Sequence, residues 1–520
     1  MNKYLKGLLA LASANLIAKI IGAVYRIPLT NILGAEGIGV YQMVFPVYSL
    51  LLIFASGGFP LALSKIIAEQ RALGRADKIS AYFKKTLFVT ISMGLVFGLL
   101  LFSLSSFLAT IQGSSNVTLS YFSLGVAVVF ACSICAFRGF FQGYQDMRPS
   151  SISVVLEQIV KLVVGLILAK LFISKGLNWG VFGATVGVAV GEVFAFVYLL
   201  FSFFIKKKKY NYKSYKIQSD STLVKLALPI TLGALISPLS SAFESLFVVR
   251  FLSTYMSQGR ATSLFGLQTG MINPLINFPI ILISSICVSL LPELSYLFKQ
   301  NETLKAKETI SKTIKYIFVI MLACSVGYGV LAYDILKTLY PNVINQTIAS
   351  ISRILFILSS ISMLFSSLAQ TFTTIMQADN KPYLPVRNFT ISVSVRVILT
   401  IALIFVPSLN ILGLAIANLI SFVIYAFLNY ASVKKTLPIE IKRHDLFYSL
   451  FSAFIMALVV LGFKTLLSGY DGLLLILLSI VVGAVVYMGL VIMFKVVSVS
   501  EIKTLFSRRK DKFVADKNEK

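Results

Sequence analysis

Nine charged side chains stand inside stretches otherwise apolar enough to cross a membrane. Six are basic, Lys19, Arg26, Lys161, Arg250, Arg353 and Arg396, and three are acidic, Glu157, Glu192 and Glu244. An ionised group near the bilayer centre costs at least about 2.5–3.5 kcal/mol on insertion scales, so each needs a partner or water. The sharpest case is "VVLEQIVKLVVGLILAKL", residues 154–171. Glu157 and Lys161 are spaced i, i+4 there, share one helix face, and are expected to pair.

Pairing within the set leaves about three positive charges over, and unpaired charge is tolerable only along a water-filled cavity. Lys161 has a counterpart in Arg396, so both are expected to face a central gap between two halves. A cationic cavity suits an anionic substrate, and the phosphates of a lipid-linked sugar fit, because Lys and Arg supply donors and charge together. The plainer reading of each charge is a buried ion pair that fixes helix packing. Lys65, near the end of its segment, is expected to snorkel to the interface.

These residues must be positioned by helices. The chain has 520 residues, 57% hydrophobic and 13% charged, with mean hydropathy +0.88. Apolar runs of about 20 residues recur along its length, enough to span a hydrocarbon core of about 30 Å. They are too long and too uniformly apolar for barrel strands. The expected fold is an all-α polytopic membrane protein with fourteen spans: 5–32, 38–67, 86–111, 117–141, 151–173, 179–205, 222–250, 263–297, 314–335, 347–376, 384–407, 410–433, 447–467 and 472–496. The apolar N-terminus reads as an uncleaved first helix.

With the N-terminus cytoplasmic, 35 of the 47 Lys and Arg fall in loops and ends on that side, Arg138 among them, and 5 on the other. That bias places both termini in the cytoplasm. It accounts for the net charge of +27 without nucleic acid and sets the basic face and tail beside anionic lipids.

The chain also repeats itself. "QGYQDMRPSSISVVLEQIVK" (142–161) matches "QADNKPYLPVRNFTISVSVR" (377–396), and proline pairs recur in spans 2 and 8. Spans 1–6 then match spans 7–12 as a parallel repeat. The expected parts are residues 1–210 and 211–440 as lobes, 441–497 as two further helices, and 498–520 as a basic cytoplasmic tail. Pro28, Pro46, Pro60, Pro229, Pro238, Pro274, Pro279 and Pro292 sit in or beside spans 1, 2, 7 and 8, and mark these as candidate gating helices.

Several chemistries are excluded. There is no P-loop, no G-x-S-x-G, no H-E-x-x-H, and the one histidine, His444, lies in a loop. Cys132 and Cys135 form a C-x-x-C within a helix, read as packing residues. No catalytic residue, metal or cofactor is expected, and transport would draw on an ion gradient, the membrane potential or the substrate's own gradient.

The motifs "GAEGIGVYQ", "PLALSK" and "FQGYQDMRP" resemble the polysaccharide-biosynthesis flippases of the stage V sporulation protein B type, in the multidrug/oligosaccharidyl-lipid/polysaccharide (MOP) exporter superfamily. The resemblance implies two lobes around a central cavity, with spans 13 and 14 flanking a groove for a lipid tail. It implies alternating access and export of undecaprenyl-pyrophosphate-linked saccharide: lipid II or a related cell-envelope or spore-cortex precursor. Essential basic residues in span 1 of the related lipid II flippases are matched by Lys19 and Arg26. Their acid within span 2 has no match, since the nearest, Glu36, precedes the span. The alternative within the superfamily is a multidrug exporter of organic cations, which would need exposed carboxylates.

Overall fold

The computed structural model describes residues 3–208, 210, 221–344, 346–437, 442–467 and 472–498. The basic tail expected beyond 498 lies outside them. The helices are α1 (Lys3–Ser56), α2 (Phe59–Ala72), α3 (Ala76–Ser103), α4 (Ser105–Gln112), α5 (Thr118–Gly143), α6 (Met147–Phe172), α7 (Leu177–Lys206), α8 (Thr222–Leu252), α9 (Gln258–Gly266), α10 (Asn273–Lys299), α11 (Thr303–Leu339), α12 (Gln346–Ala378), α13 (Tyr383–Ile404), α14 (Leu412–Thr436), α15 (Arg443–Leu466) and α16 (Leu473–Met493).

Among the described residues, thirteen helical segments are long and apolar enough to cross a membrane, and the first runs from Ala10 to Ala72. At 1.5 Å per residue it is far longer than one crossing needs. Its backbone leaves the helix at Gly34, with φ 72° and ψ 179°, a conformation essentially restricted to glycine. Split there, the segments number fourteen, and the chain is an all-helical, multi-pass membrane protein.

Two spans differ from expectation in their interiors. Span 2 was expected unbroken over 38–67, but it stops at Ser56 and restarts at Phe59. The cause is close packing: a Cβ at Gly58 would collide with the Ala227 carbonyl of α8, and the Gly58 N–H donates to Thr231 Oγ1 at 2.9 Å. Span 8 contains a π-helical turn over residues 267–272. There the Asn273 N–H bonds the Gln268 carbonyl, which releases the Thr269 carbonyl, and Gln42 Nε2 takes it at 2.6 Å. Helical structure continues through Pro28, Pro46, Pro229, Pro238, Pro279 and Pro292.

The chain forms two compact units. One holds residues 2–274 and 401–411, hence α1–α9. The other holds, of the described residues, those from 275 to 400 and from 412 onward, hence α11, α12 and α14–α16 with most of α10 and α13. The division by packing therefore follows a different line from the sequence repeat at 210. In the first unit Phe83, Phe137, Phe140 and Phe203 interlock, with ring centroids 4.8–5.8 Å apart, around Leu63, Ile66 and Leu199. In the second, Leu294, Ile310, Ile375, Met376 and Val433 form the corresponding core. All four cysteines are free.

Candidate functional site

Three helices of the first unit enclose a cavity of about 160 Å³. α1 contributes Phe45, Tyr48, Ser49 and Leu52, α6 contributes Glu157, Gln158 and Lys161, and α7 contributes Val188 and Glu192. Phe45, Tyr48, Ser49 and Leu52 follow i, i+3, i+4, i+7, Glu157 and Lys161 are four apart with Gln158 beside them, and Val188 and Glu192 are four apart, so each set lies on one side of its helix. The α6 and α7 faces meet because α7 carries Gly183, Gly187 and Gly191. A Cβ at Gly187 would collide with Gly165 of α6, and one at Gly191 would lie 2.8 Å from the Glu157 carbonyl. This small-residue ridge lets two backbones touch, as in other membrane helix pairs. It sets Glu192 beside the helix that bears Glu157.

The expected pairing of Glu157 with Lys161 is not what forms. Glu157 Oε2 bonds Arg138 Nη2 of α5 at 2.9 Å, and its Oε1 accepts from Gln158 Nε2 at 2.9 Å. Arg138 also donates through Nε to Ser153 Oγ at 3.1 Å. Arg138, read from sequence as a loop charge, lies inside α5. The guanidinium wins for a physical reason: it reaches across the helix interface with several donors in a fixed fork, whereas a lysine on the same helix offers one point charge.

Lys161 is left with no ion pair within 4 Å among the described residues. Its Nζ lies 5.9 Å from the centre of the Tyr25 ring, a cation–π placement. The Tyr25 hydroxyl is buried without a hydrogen-bond partner among the described residues. Glu192, 6% exposed, accepts from Tyr48 Oη at 3.3 Å.

Of the nine charges singled out from sequence, the cavity gathers Glu157, Lys161 and Glu192. Lys19 is exposed on α1, Arg26 is half-buried there, and Glu244 is buried on α8. Arg250 caps a helix: its Nη1 donates to the carbonyls of Thr110 and Ile111 in the last turn of α4, at 2.8 and 3.4 Å. Arg353, exposed on α12, and Arg396, half-buried on α13, belong to the other unit. Lys65 is 63% exposed and lies 3.9 Å from Glu69. Arg138, Tyr48, Ser49 and Gln158 were not found from sequence. The usable signal for Arg138 was its place one turn inside the end of an apolar run.

A second polar cluster holds the lysine-rich end of the same helices. Asp146 begins α6, and its Oδ2 accepts from Lys206 Nζ at 2.7 Å and from the Tyr210 hydroxyl at 2.6 Å. Burial works to raise the Asp146 pKa, but these donors outweigh it and hold the carboxyl below its ordinary value. The Tyr210 hydroxyl is pushed up by burial and by the Asp146 carboxylate.

Residues 4–298 match the model of a family described as polysaccharide biosynthesis protein. The chain is 26% identical over 511 residues to stage V sporulation protein B of Bacillus subtilis (strain 168), covering 96% of this chain and 97% of that one. Among solved structures it resembles the lipid II flippase MurJ in an inward closed conformation. The TM-score is 0.72 at 16% identity, over 94% of this chain and 98% of the other. It also resembles an inward-facing multidrug resistance MATE family transporter of the MOP superfamily, with TM-score 0.68 at 15% identity, over 81% and 94%. The structural likenesses carry the fold, and the match over more than half of the sequence carries the family: the chain belongs to the polysaccharide biosynthesis protein family.

Proposed function

We propose that this chain is a flippase that moves a lipid-linked saccharide, its carrier bearing a pyrophosphate, across the cytoplasmic membrane by alternating access. The observation that carries this reading is Lys161. It lines a membrane-embedded cavity, and Arg138 has taken the carboxylate that would otherwise neutralise it. A phosphate is the natural partner for such an ammonium. Relatives of the same family and fold are described as lipid II flippase and stage V sporulation protein B, which favours a cell-envelope or spore-cortex precursor. The reading has both termini cytoplasmic, from the lysine bias of the loops, and needs no enzyme chemistry. An inside-negative potential would favour outward movement of the anion by about 2.3 kcal/mol per charge per 100 mV.

A second reading rests on the same cavity. Glu157 and Glu192 put two carboxylates on its wall, which would suit an organic cation. Proteoliposomes loaded separately with lipid II, a lipid-linked teichoic-acid precursor and a cationic dye separate the two. Flipping of a lipid-linked saccharide, lost in Lys161→Ala, supports the first reading. Transport of the dye alone, lost in Glu192→Gln, overturns it.

A further inference from the structure

A larger cavity than that one lies elsewhere among the described residues. A groove of about 420 Å³ opens at the lysine-rich end of α11, bounded by α11, α12 and α15, all within the second unit. That volume falls in the range of sites that hold a small ligand. Its construction is amphipathic. Phe318, Val319, Leu368, Phe372 and Leu446 form the apolar part, with Val319 and Phe372 each 4% exposed. Lys312, Lys315 and Lys442 stand at the mouth with Glu308 and Asp445.

The mouth has a definite charge. Three lysines against two carboxylates leave a net +1. Lys312 Nζ is held by Glu308 Oε1 at 2.6 Å, and Asp445 Oδ1 lies 3.2 Å from His444 Nδ1. The carboxylates thus have neighbours of their own, and Lys442 makes no ion pair among the described residues. A ligand that matches this construction has one net negative charge at its head and an apolar chain behind it. Lys312 to Val319 covers two helical turns, about 10 Å, which is depth enough for part of an acyl chain.

We propose that this groove binds one anionic glycerophospholipid, its phosphate at Lys315 and Lys442 and part of an acyl chain against Phe318, Val319 and Phe372. The lipid packs at the junction of α11 and α15, two helices that are also joined at their far ends by Lys464 Nζ to Asp334 Oδ2 at 2.6 Å. It therefore completes an interface that otherwise holds a groove at one end and an ion pair at the other.

The test uses the delipidated full-length chain in detergent. Bound lipid is counted by native mass spectrometry after addition of phosphatidylglycerol or phosphatidylcholine. The expected result is one phosphatidylglycerol retained in preference to phosphatidylcholine. Lys315→Gln with Lys442→Gln should weaken it roughly thirtyfold, from the usual contribution of a lysine near an anionic headgroup. These are mouth residues, so the variant should fold. Val319→Trp, which fills the groove, should remove binding while leaving the lysines. Equal retention of the two lipids, or unchanged binding in both variants, would sink the proposal. Displacement by inorganic phosphate at lipid-equivalent concentration would make this a free-phosphate site. Preferential displacement by undecaprenyl phosphate would assign the groove to the carried lipid instead. Either of these last two results overturns the assignment.

Discussion

Helices α5–α7 and α12–α14 hold matching places in the sequence repeat, yet they solve the same packing problem with different chemistry. Corresponding positions are offset by 235 residues. Arg138, Ser153, Glu157 and Lys161 thus correspond to Thr373, Asn388, Ser392 and Arg396. In the first set, a guanidinium binds a carboxylate and a hydroxyl beside a cavity. In the second, buried amides and hydroxyls take the place of the ion pair, with the Arg387 guanidinium at the edge donating to Asn388 Oδ1 at 3.3 and 3.4 Å. Asn388 Nδ2 donates to Asn429 Oδ1 at 3.0 Å and to Ser432 Oγ at 3.1 Å. Asn429 donates to the Ala369 carbonyl and to Thr373 Oγ1, and Ser421 Oγ donates to the Ser392 carbonyl at 2.9 Å. Both asparagines are fully buried, with both amides bonded. A fully bonded buried amide network specifies a core, whereas ionised groups beside a cavity remain able to exchange partners. The difference teaches that duplication kept the framework but placed a guanidinium–carboxylate pair beside a cavity in one copy and a buried amide network in the other.

The strongest way to break this comparison is Arg138→Ala. It orphans Glu157, whose side chain is 17% exposed, and should destabilise the protein by about 3 kcal/mol, the lower end for a broken buried pair. Thr373→Ala, at the corresponding position, should cost about 1 kcal/mol. Thermal unfolding in detergent compares them, and Arg138→Gln with Glu157→Gln should recover most of the loss. Equal costs at the two positions would remove the distinction between the clusters.

Lys161→Ala sharpens it. If the lysine faces substrate, flipping of a lipid-linked saccharide should fall roughly ten- to a hundredfold, as for a lost hydrogen bond to a charged group. Stability should move by no more than about 0.5 kcal/mol, because no ion pair is broken. Lys161→Arg should keep part of the activity. A large loss of stability with normal specific activity would make Lys161 a packing residue.

The amide cluster should respond the other way. Asn429→Leu removes the bonds to the Ala369 carbonyl and Thr373 Oγ1 and takes away one acceptor of the Asn388 amide, at a cost of about 1.5 kcal/mol. Flipping per folded molecule should be unchanged in the same proteoliposome assay. A selective loss of transport would mean that the amide cluster also meets substrate.

The bilayer made much of this architecture legible in advance. Long apolar runs become helices because no other backbone arrangement is satisfied in lipid. The ends of spans 6 and 7 accordingly fall within two residues of expectation. What escaped were the contacts between helices. The i, i+4 rule reads one helix at a time, so it joined Glu157 to Lys161 and missed Arg138 on the neighbouring helix. Proline marked bends that helical structure absorbs, while the real interruptions came at Gly34 and at Gly57–Gly58. At Gly58 the cause is an approaching carbonyl on α8, a fact about tertiary packing that no local pattern carries.

The smallest effect concerns the end of the charged unit, where Asp146 joins α6 to Lys206 and Tyr210. Its carboxyl is held below the ordinary value, so the folded state favours the ionised form. The stability this contributes is fully present above the unfolded pKa of about 3.9 and is lost as pH falls through the lower, folded value. The site is partly open to solvent, so the contribution should be at most about 1 kcal/mol. Asp146→Asn should therefore melt slightly earlier than wild type at pH 7, and the gap should close as pH falls below about 4. Tyr210→Phe removes one of the two donors and should give a smaller gap over the same range. A gap that persisted unchanged at low pH would mean that Asp146 acts through packing at the start of α6, and that charge at this end of the unit contributes nothing.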